Sequence, residues 1–240
     1  MQPIIHVEDL SKSFPLNKNE SVHVLKNLSF QAQAGEFVSI VGPSGSGKTT
    51  FLYCMSGLEQ ADSGIAKLSG SDVVSASRKE RSAIRRKNAS FIFQDYNLID
   101  SMTALENVKL GLRFNKKRLS AKAIKKLFDR FGLSDKLDSY PAQLSGGQRQ
   151  RVAIVRSLAV QPKILFADEP SGALDSASTR LLLDQLAQLH KTGTTVIMVT
   201  HDLEAAARAD RAIVLRDGII HSDIVNPTAK QLFSLIGSTE

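Results

Sequence analysis

Residues 37–50 read Phe-Val-Ser-Ile-Val-Gly-Pro-Ser-Gly-Ser-Gly-Lys-Thr-Thr, and this stretch decides the fold. Its first five residues form an apolar run that is typical of a strand buried on both faces. The next eight match the pattern GxxxxGK[ST], and apolar residues at helical spacing follow them. Strand, glycine-rich loop and helix in this order are the context that a phosphate-binding loop requires. The alternative is a Gly/Ser turn that precedes a lysine by chance.

Each residue type in this loop has a physical use. Glycines let the backbone wrap, so that successive N–H groups converge on phosphate oxygens at the positive end of a helix dipole. Lys48 is expected to contact the β and γ phosphates, and the Thr49 hydroxyl to bind Mg²⁺. The candidate nucleotide-binding residues of the loop are Gly42, Pro43, Ser44, Gly45, Ser46, Gly47, Lys48, Thr49 and Thr50.

A pair of carboxylates follows a second apolar run. Residues 164–167 are apolar and lead directly into Asp168 and Glu169. A sheet can present such an aspartate to Mg²⁺ through water and the glutamate to an attacking water molecule. By itself this pattern is more typical of a solvated strand end. Beside a phosphate-binding loop, it predicts that Asp168 helps to hold the metal and that Glu169 is the general base.

The rest of the chain indicates an α/β fold. Nearly continuous apolar runs recur at residues 91–93 and 195–199, with segments of helical period between them, which favours helices packed on a mostly parallel sheet. Residues 4–10 and 24–30 are short strand candidates of an antiparallel layer ahead of that sheet. The dipeptide Asp217-Gly218, between two apolar runs, predicts a hairpin.

The region from about residue 95 to residue 158 lacks a clear strand and is expected to be an inserted helical subdomain. Its candidate helices are residues 104–112, 121–131 and 147–158. The predicted organisation is one P-loop NTPase domain over residues 1–240, with its core at 1–94 and 159–240 and the helical subdomain at 95–158.

The composition indicates a globular protein. The 240 residues are 42% hydrophobic and 23% charged, which excludes a disordered or collagen-like chain. No stretch approaches the roughly 18 consecutive apolar residues of a spanning helix and no signal peptide is evident, so we expect a chain that neither crosses a membrane nor is secreted. The single cysteine, Cys54, favours a reducing compartment. The net charge of +7 suits an anionic partner.

A third motif stands ahead of Arg149 and a candidate helix. It reads Leu144-Ser145-Gly146-Gly147-Gln148. Here the sequence resembles the ATP-binding subunits of ABC transporters. The resemblance implies that this signature binds the γ-phosphate of an ATP molecule held by a second copy of the chain, where convergent N–H donors and a helix dipole favour an anion. Any one of these residues alone would be an ordinary helix cap.

Four more positions match the family in order along the chain, and their roles come from the resemblance. Phe14 matches the aromatic residue that stacks on adenine, with Phe where Tyr is common. Gln94 matches the glutamine that reaches Mg²⁺ and the attacking water. Asp175 lies in the loop that crosses the dimer interface, and His201 matches the histidine that contacts the γ-phosphate. The resemblance therefore implies ATP and Mg²⁺ at two sites shared by a homodimer, with Glu169, His201 and Gln94 as catalytic residues.

Segments 91–99, 142–156 and 166–175 are most similar to the group of ABC ATPases that serve lipoprotein-release, macrolide-export and bacitracin-resistance permeases. That similarity implies an integral membrane permease docking near Gln94, Tyr96 and Leu98. It places the chain in the cytoplasm, peripherally on the inner face of the cell membrane. An antimicrobial peptide or a lipid-linked molecule is the expected substrate. The alternative is a cell-division ATPase that powers a membrane partner without transport.

Other classes fit less well. Basic segments at residues 78–87 and 116–126 suggest a nucleic-acid-binding module, but they lack the interleaved aromatic residues that stack on bases. Solvated helix faces explain these segments better, so we expect no nucleic-acid partner. Related ATPases of DNA repair carry a long coiled coil between the phosphate loop and the signature, and this chain has no sustained heptads there.

Overall fold

The computed structural model describes residues 2–17 and 20–237. Its strands are β1 (Ile5–Pro15), β2 (Ser21–Ala32), β3 (Phe37–Val41), β4 (Ser63–Leu68), β5 (Ser71–Asp72), β6 (Ala89–Ile92), β7 (Ile164–Asp168), β8 (Thr195–Val199), β9 (Arg211–Arg216) and β10 (Ile219–Val225). Its helices are α1 (Lys48–Ser56), α2 (Arg78–Asn88), α3 (Ala104–Phe114), α4 (Ala121–Arg130), α5 (Gly146–Ala159), α6 (Ser176–Lys191), α7 (Leu203–Ala206) and α8 (Ala229–Gly237), with a short 3₁₀ turn at Pro141–Gln143.

The main sheet carries the phosphate-binding loop. Within the described residues its order is β10-β9-β3-β8-β7-β6, parallel throughout except for the antiparallel edge strand β10. Every residue of β3, β7 and β8 is buried. Their side chains alternate between two apolar layers, one shared with α1 and the antiparallel sheet and the other with α3 to α6. Burial on both faces explains why these strands are nearly continuous apolar runs, and the predicted α/β class is confirmed.

The hairpin at Asp217-Gly218 joins β9 to β10, as predicted. Both residues have positive φ, 49° and 77°, which suits a two-residue turn that matches the twist of its strands. Gly218 is also required by packing, because a Cβ atom there would lie 2.3 Å from the carbonyl oxygen of Val24.

The N-terminal layer is larger than expected. It is an antiparallel sheet of order β2-β1-β4-β5, in which β1 and β2 extend well beyond residues 4–10 and 24–30 and β4 and β5 were not predicted. The pairing of β1 with β2 shifts register between Val7 and Leu10 and again at Lys12 and Ser13. Bulges of this kind break the alternation of apolar and polar residues, so one bent strand resembles a short strand followed by a polar loop.

The strand expected at residues 91–93 begins two residues earlier and ends one residue earlier, at Ala89–Ile92. Phe93 lies outside the strand, with its ring stacked on Phe91 at 5.4 Å between centroids and edge-on to Tyr53 at 6.4 Å. Side-chain packing, and not strand pairing, therefore accounts for this third apolar residue.

Residues 93–163 contain no strand, and α3, α4 and α5 lie within two residues of their predicted bounds. Their apolar faces form one core with α6 and one face of the main sheet. The division into a core and a subdomain at residues 95 and 158 stays a prediction. Across the described part of the chain, no helix combines the length and the apolar character needed to cross a membrane.

Candidate functional site

The phosphate-binding loop connects β3 to α1 in a backbone conformation that only glycine can adopt at two positions. Gly47 immediately precedes α1 with a φ of 96°, and a Cβ atom there would lie 2.9 Å from the carbonyl oxygen of Val24. A Cβ atom at Gly42 would lie 2.0 Å from the carbonyl oxygen of Leu215. The predicted strand, loop and helix are therefore present, and close approach of β2 and β9 explains these two glycines.

The polar groups of this loop suit an anion. The hydroxyl of Ser46 is buried and has no hydrogen-bond partner among the described residues. Lys48 donates to the carbonyl oxygens of Gly42 and Pro43, at 2.9 and 2.8 Å. Burial lowers the pKa of Lys48, although the carboxylates of Glu169 and Asp168 act in the opposite direction. A buried hydroxyl without a partner and a partly desolvated ammonium both gain from a bound phosphate group, so the loop fits the ligand that its sequence predicts.

Asp168 lies at the foot of the loop and is almost completely buried, at 1% exposed. It accepts a hydrogen bond from the hydroxyl of Thr49 at 2.9 Å and another from Tyr53. Burial raises the pKa of Asp168, and these two hydrogen bonds and the charge of Lys48 oppose that rise. A carboxylate beside a hydroxyl is the kind of oxygen donor set that Mg²⁺ prefers, so these residues fit the predicted metal.

Sequence reasoning missed Tyr53. Its partly buried phenol lies next to Asp168, and loss of hydration, followed by the negative charge of that carboxylate, raises the pKa of Tyr53 above its ordinary value. Tyr53 follows Thr49 by four residues on α1, which places both side chains on the same face of the helix. Helical spacing from Thr49 is therefore the signal that could have found it.

Glu169 stands at the end of β7 with a φ of 46°. Positive φ at a residue other than glycine costs roughly 1–3 kcal/mol and is concentrated at functional sites. The Glu169 N–H donates to the Val199 carbonyl oxygen at 2.9 Å, which brings the glutamate beside the end of β8. There its Oε2 lies 2.8 Å from Nδ1 of His201. The glutamate side chain is 13% exposed and the histidine side chain 74%, so the pair lies between the protein interior and solvent.

The signature residues form the N-terminus of α5. Ser145 caps the helix: its hydroxyl accepts from the Gln148 N–H at 3.2 Å, and Gln148 Oε1 accepts from the Ser145 N–H at 2.9 Å. Leu144, the first residue of the signature, is buried. Cβ atoms at Gly146 and Gly147 would each lie 3.3 Å from a neighbour, respectively the Tyr96 hydroxyl and the Ala173 carbonyl oxygen. Neither of these neighbours belongs to the phosphate-binding loop.

Gln150, one turn into α5, is a second residue that sequence reasoning missed. It is buried, and its Nε2 donates to the Pro170 carbonyl oxygen at 2.9 Å. This bond joins the signature helix to the residue that follows Glu169. No sequence pattern marks the contact, because it depends on how α5 packs against the loop after β7.

Phe14 is brought to the phosphate-binding loop. Its ring is 39% exposed and lines a cleft of about 350 Å³. The other residues of this cleft are Val24, Gly45, Gly47, Lys48, Thr49 and Thr50. This placement is compatible with a ring that stacks on the base of a nucleotide whose phosphates occupy the loop, and the stacking role stays a prediction.

Gln94 and Asp175 lie in the segments that follow β6 and β7. Gln94 is exposed in the turn after β6, and the hydrogen bonds of the described residues do not join it to Thr49, Asp168 or Glu169. The turn is nonetheless close to the site, because the charge of the next residue, Asp95, acts on Asp168. Asp175 caps α6 by accepting from the Ser178 N–H at 2.7 Å, a bond that lowers the pKa of the Asp175 carboxyl.

Comparison with known proteins identifies the family. The family model described as "ABC transporter" matches residues 25–172 of the chain. The chain belongs to the ABC transporter family. It is 42% identical over 245 residues to the macrolide export ATP-binding/permease protein MacB of Shigella sonnei strain Ss046 and equally to MacB of Escherichia coli strain K12. All of this chain is covered in both comparisons, but the chain spans 37% of the length of these relatives.

Solved structures confirm the ABC cassette fold. A post-hydrolysis state of the ATP-binding cassette MJ0796, described as dimeric and bound to ADP and Pi, superposes with a TM-score of 0.87 at 36% identity. A second dimeric structure of MJ0796, described as a bacterial ABC transporter cassette, gives the same values. Each covers 93% of this chain and 99% of the neighbour. The resemblance drawn from the signature and the phosphate-binding loop is therefore confirmed at the level of family and fold.

Proposed function

We propose that this ABC cassette binds and hydrolyses ATP and uses the cycle to drive a membrane permease. The observation that carries the proposal is the pairing of Glu169 with His201 beside the pairing of Asp168 with Thr49, at the foot of the phosphate-binding loop. This arrangement places Glu169 as the proposed general base, Asp168 as the proposed metal ligand and the phosphate-binding loop along one edge of the main sheet.

ATP occupies the cleft with its base on Phe14 and its phosphates in the loop, where backbone N–H groups, the Ser46 hydroxyl and Lys48 are the donors. Thr49, Asp168 and Gln94 would hold Mg²⁺, which would supply positive charge against the β and γ phosphates. The close packing of Gly42 and Gly47 against the backbones of β9 and β2 leaves no room for a side chain at either position of the loop.

Glu169 acts as the general base. It takes a proton from water as the water oxygen bonds to the γ-phosphorus and the bond from that phosphorus to the β–γ bridging oxygen breaks, which yields ADP and inorganic phosphate. The backbone N–H of His201 donates to Oε2 of Glu169 at 3.3 Å, and the ring Nδ1 of His201 contacts the same oxygen. Both contacts orient the carboxylate, and the exposed histidine ring is free to contact the γ-phosphate.

Two copies complete each site. Ser145 is exposed, and the atoms nearest to the Cβ positions of Gly146 and Gly147 belong to Tyr96 and Ala173 and not to the phosphate-binding loop. We propose that it binds the γ-phosphate held by a second copy, with Asp175 in the loop at the interface. The dimeric state of the MJ0796 cassette supports this arrangement.

The permease docks at the turn that contains Gln94. Leu98, one of the residues expected to contact it, packs partly buried against the core and shares a cleft with Tyr96 and two aspartates, Asp95 and Asp100. A groove of about 400 Å³ on the same turn offers more apolar surface, including Phe91, Phe93 and the 62% exposed ring of Phe114. Three arginines and no acidic residue line this groove, namely Arg85, Arg86 and Arg156. We therefore extend the docking surface to this groove and propose that it receives a permease helix with a carboxylate and apolar anchors.

Docking is tested with Phe114→Glu, because Phe114 is exposed and makes little contribution to the core. We expect unchanged nucleotide binding, weaker copurification with the permease and less permease-stimulated hydrolysis. Lys122→Gln, at an exposed position of α4 outside the groove, is the control, because it changes the charge by the same one negative unit. Normal assembly and stimulation of the Phe114 variant would show that the permease docks elsewhere.

We further propose that the transported molecule is an antimicrobial peptide or a lipid-linked compound and that the cassette works on the cytoplasmic face of the membrane. The MacB relatives are named for macrolide export, and macrolide-export permeases belong to the group that the sequence predicts for this chain.

Hydrolysis is tested by comparing the purified chain with its Glu169→Gln variant. Phosphate release with MgATP is expected from the wild type and not from the variant, whereas both bind ATP, because the amide keeps the shape of the side chain and removes the base. Near wild-type turnover by Glu169→Gln would contradict the assignment of the base. Failure of the wild type to bind ATP would overturn the function itself.

A further inference from the structure

Lys12 is a buried cation that has no role in the ATP site proposed above. Its side chain is 10% exposed, and its ammonium donates to the Gln60 carbonyl oxygen at 2.7 Å and to Asp62 at 3.3 Å. Glu59 lies 3.1 Å away. Burial acts to lower the pKa of Lys12, but the hydrogen bonds to Glu59 and Asp62 outweigh it and raise the pKa above the ordinary lysine value. The side chain is therefore a fixed positive charge at neutral pH.

This ammonium lies over the ring of Phe14, at 4.9 Å from the ring centroid. At that distance a cation is attracted to the face of an aromatic ring. Phe14 also lines the cleft at the phosphate-binding loop, and Lys12 does not. The ring therefore joins the two features, because it lies under the ammonium of Lys12 and also borders the cleft where a base is proposed to bind.

The partners of Lys12 connect it to the phosphate-binding helix. Residues 59–62 lie between the end of α1 and the start of β4, and α1 begins at Lys48. Asp62 also accepts from the Ser13 N–H at 2.6 Å, and its own N–H donates to the Ser11 carbonyl oxygen at 2.9 Å. The segment of β1 around Lys12 is therefore bound on both sides to the connection that leaves α1.

We propose that Lys12 is a positioning residue that holds the Phe14 ring against the base of the bound nucleotide, at a set distance from the phosphate-binding loop. The inference rests on the proposed ATP-binding function and adds a specific role to it. A half-exposed phenylalanine near the end of a strand samples several rotamers, and a cation fixed on one face restricts that sampling. The ring is then preorganised, which strengthens binding of the base and not of the phosphates.

Lys12→Met tests the proposal, with Lys122→Met as the control for loss of a lysine charge at an exposed site. We expect the Lys12 variant to raise the KM for ATP about three- to ten-fold, the range of a single cation–π contact, with kcat unchanged. Affinity for Mg²⁺-tripolyphosphate, which has no base, should not change. Lys12→Arg should retain a KM close to that of the wild type, because arginine also places a cation over the ring.

A double-mutant comparison separates positioning from general damage to the fold. In a Phe14→Ala background, Lys12→Met should raise the KM no further, because the ring on which it acts is gone. An equal rise in both backgrounds, or a matching loss of tripolyphosphate affinity, would overturn the proposal.

If Lys12→Met does not fold, Glu59→Gln tests the proposal instead, because it removes one of the carboxylates that hold the Lys12 ammonium. This variant should raise the KM for ATP about two-fold without changing the affinity for tripolyphosphate. An unchanged KM in that variant would equally overturn it.

The controls distinguish this inference from the proposed function. ATP binding by the wild type and the Lys122 variant, together with an unchanged Lys12 variant, defeats the positioning role alone. Absence of ATP binding in every variant defeats the proposed function.

Discussion

Asp168 is an acidic side chain held almost entirely out of water at the end of β7, next to Glu169, which is held at positive φ. Each residue is in a state that is unfavourable for its own type: an ionised carboxylate loses hydration, and a glutamate adopts a conformation that glycine prefers. The hydrogen bonds from Thr49 and Tyr53 and the contact with His201 offset part of these costs. At the residue scale, Asp168 and Glu169 therefore lower the stability of the folded chain at positions that the proposed function requires.

We expect Asp168→Asn to raise the melting temperature at pH 7, because a neutral amide avoids the desolvation of a carboxylate. The native state holds this carboxyl proton more tightly than the unfolded state, whose pKa is near 3.8. The wild type therefore loses stability as pH rises through the native pKa, and the two proteins converge as pH falls below the unfolded value. Thermal unfolding of both proteins from pH 7 to pH 3 measures the difference. An Asn variant that is less stable at pH 7 would show that the hydrogen bonds outweigh burial.

At the scale of elements, α5 connects the parts of the site. Its first turn carries the signature, Gln150 contacts the loop after Glu169, and Ser157 donates to the Phe91 carbonyl oxygen at 2.6 Å. Arg156 donates to the Tyr96 carbonyl oxygen at 2.9 Å, in the segment that follows Gln94. A shift of this helix would thus move the signature, the proposed base and the proposed docking turn together.

Substitutions of Ser145 separate helix capping from phosphate binding. Ser145→Ala removes the cap and should cost about 1 kcal/mol, or roughly 2–4 °C in melting temperature. Ser145→Asp keeps a good cap and should melt close to the wild type. Its negative charge, however, stands where a phosphate is proposed to bind, so ATP should no longer drive dimerisation. Light scattering with ATP in the Glu169→Gln background measures this, and normal dimerisation of the Asp variant would contradict the proposed contact.

At the scale of the whole molecule, the proposed sites need two chains. Lys48 and Ser145 are predicted to meet the same ATP from different copies, so Lys48→Ala and Ser145→Arg each inactivate both sites of a homodimer. Mixing the two variants should restore about one intact site in each heterodimer. Steady-state phosphate release from the mixture should therefore exceed the sum of the separate activities. A mixture that never exceeds this sum would indicate a site completed within one chain.

The sequence by itself determined the features that are contiguous in the chain. The strand, loop and helix around Lys48, the carboxylates at the end of β7 and the Asp217-Gly218 hairpin were all predictable, because each depends on local backbone requirements and residue chemistry. The signature was enough to indicate the family. Element bounds were less predictable where bulges or ring packing replace regular pairing, as in β1 and at Phe93.

Only the tertiary structure decided which distant residues meet. The approach of His201 to Glu169, of Phe14 to the phosphate-binding loop and of Lys12 to Phe14 follows from strand order and from the bulges of β1. It also decided that Leu98 packs against the core while Phe114 is exposed. The physical reason is that a side chain's burial and partners are set by the elements packed against it, which neighbours in sequence do not specify.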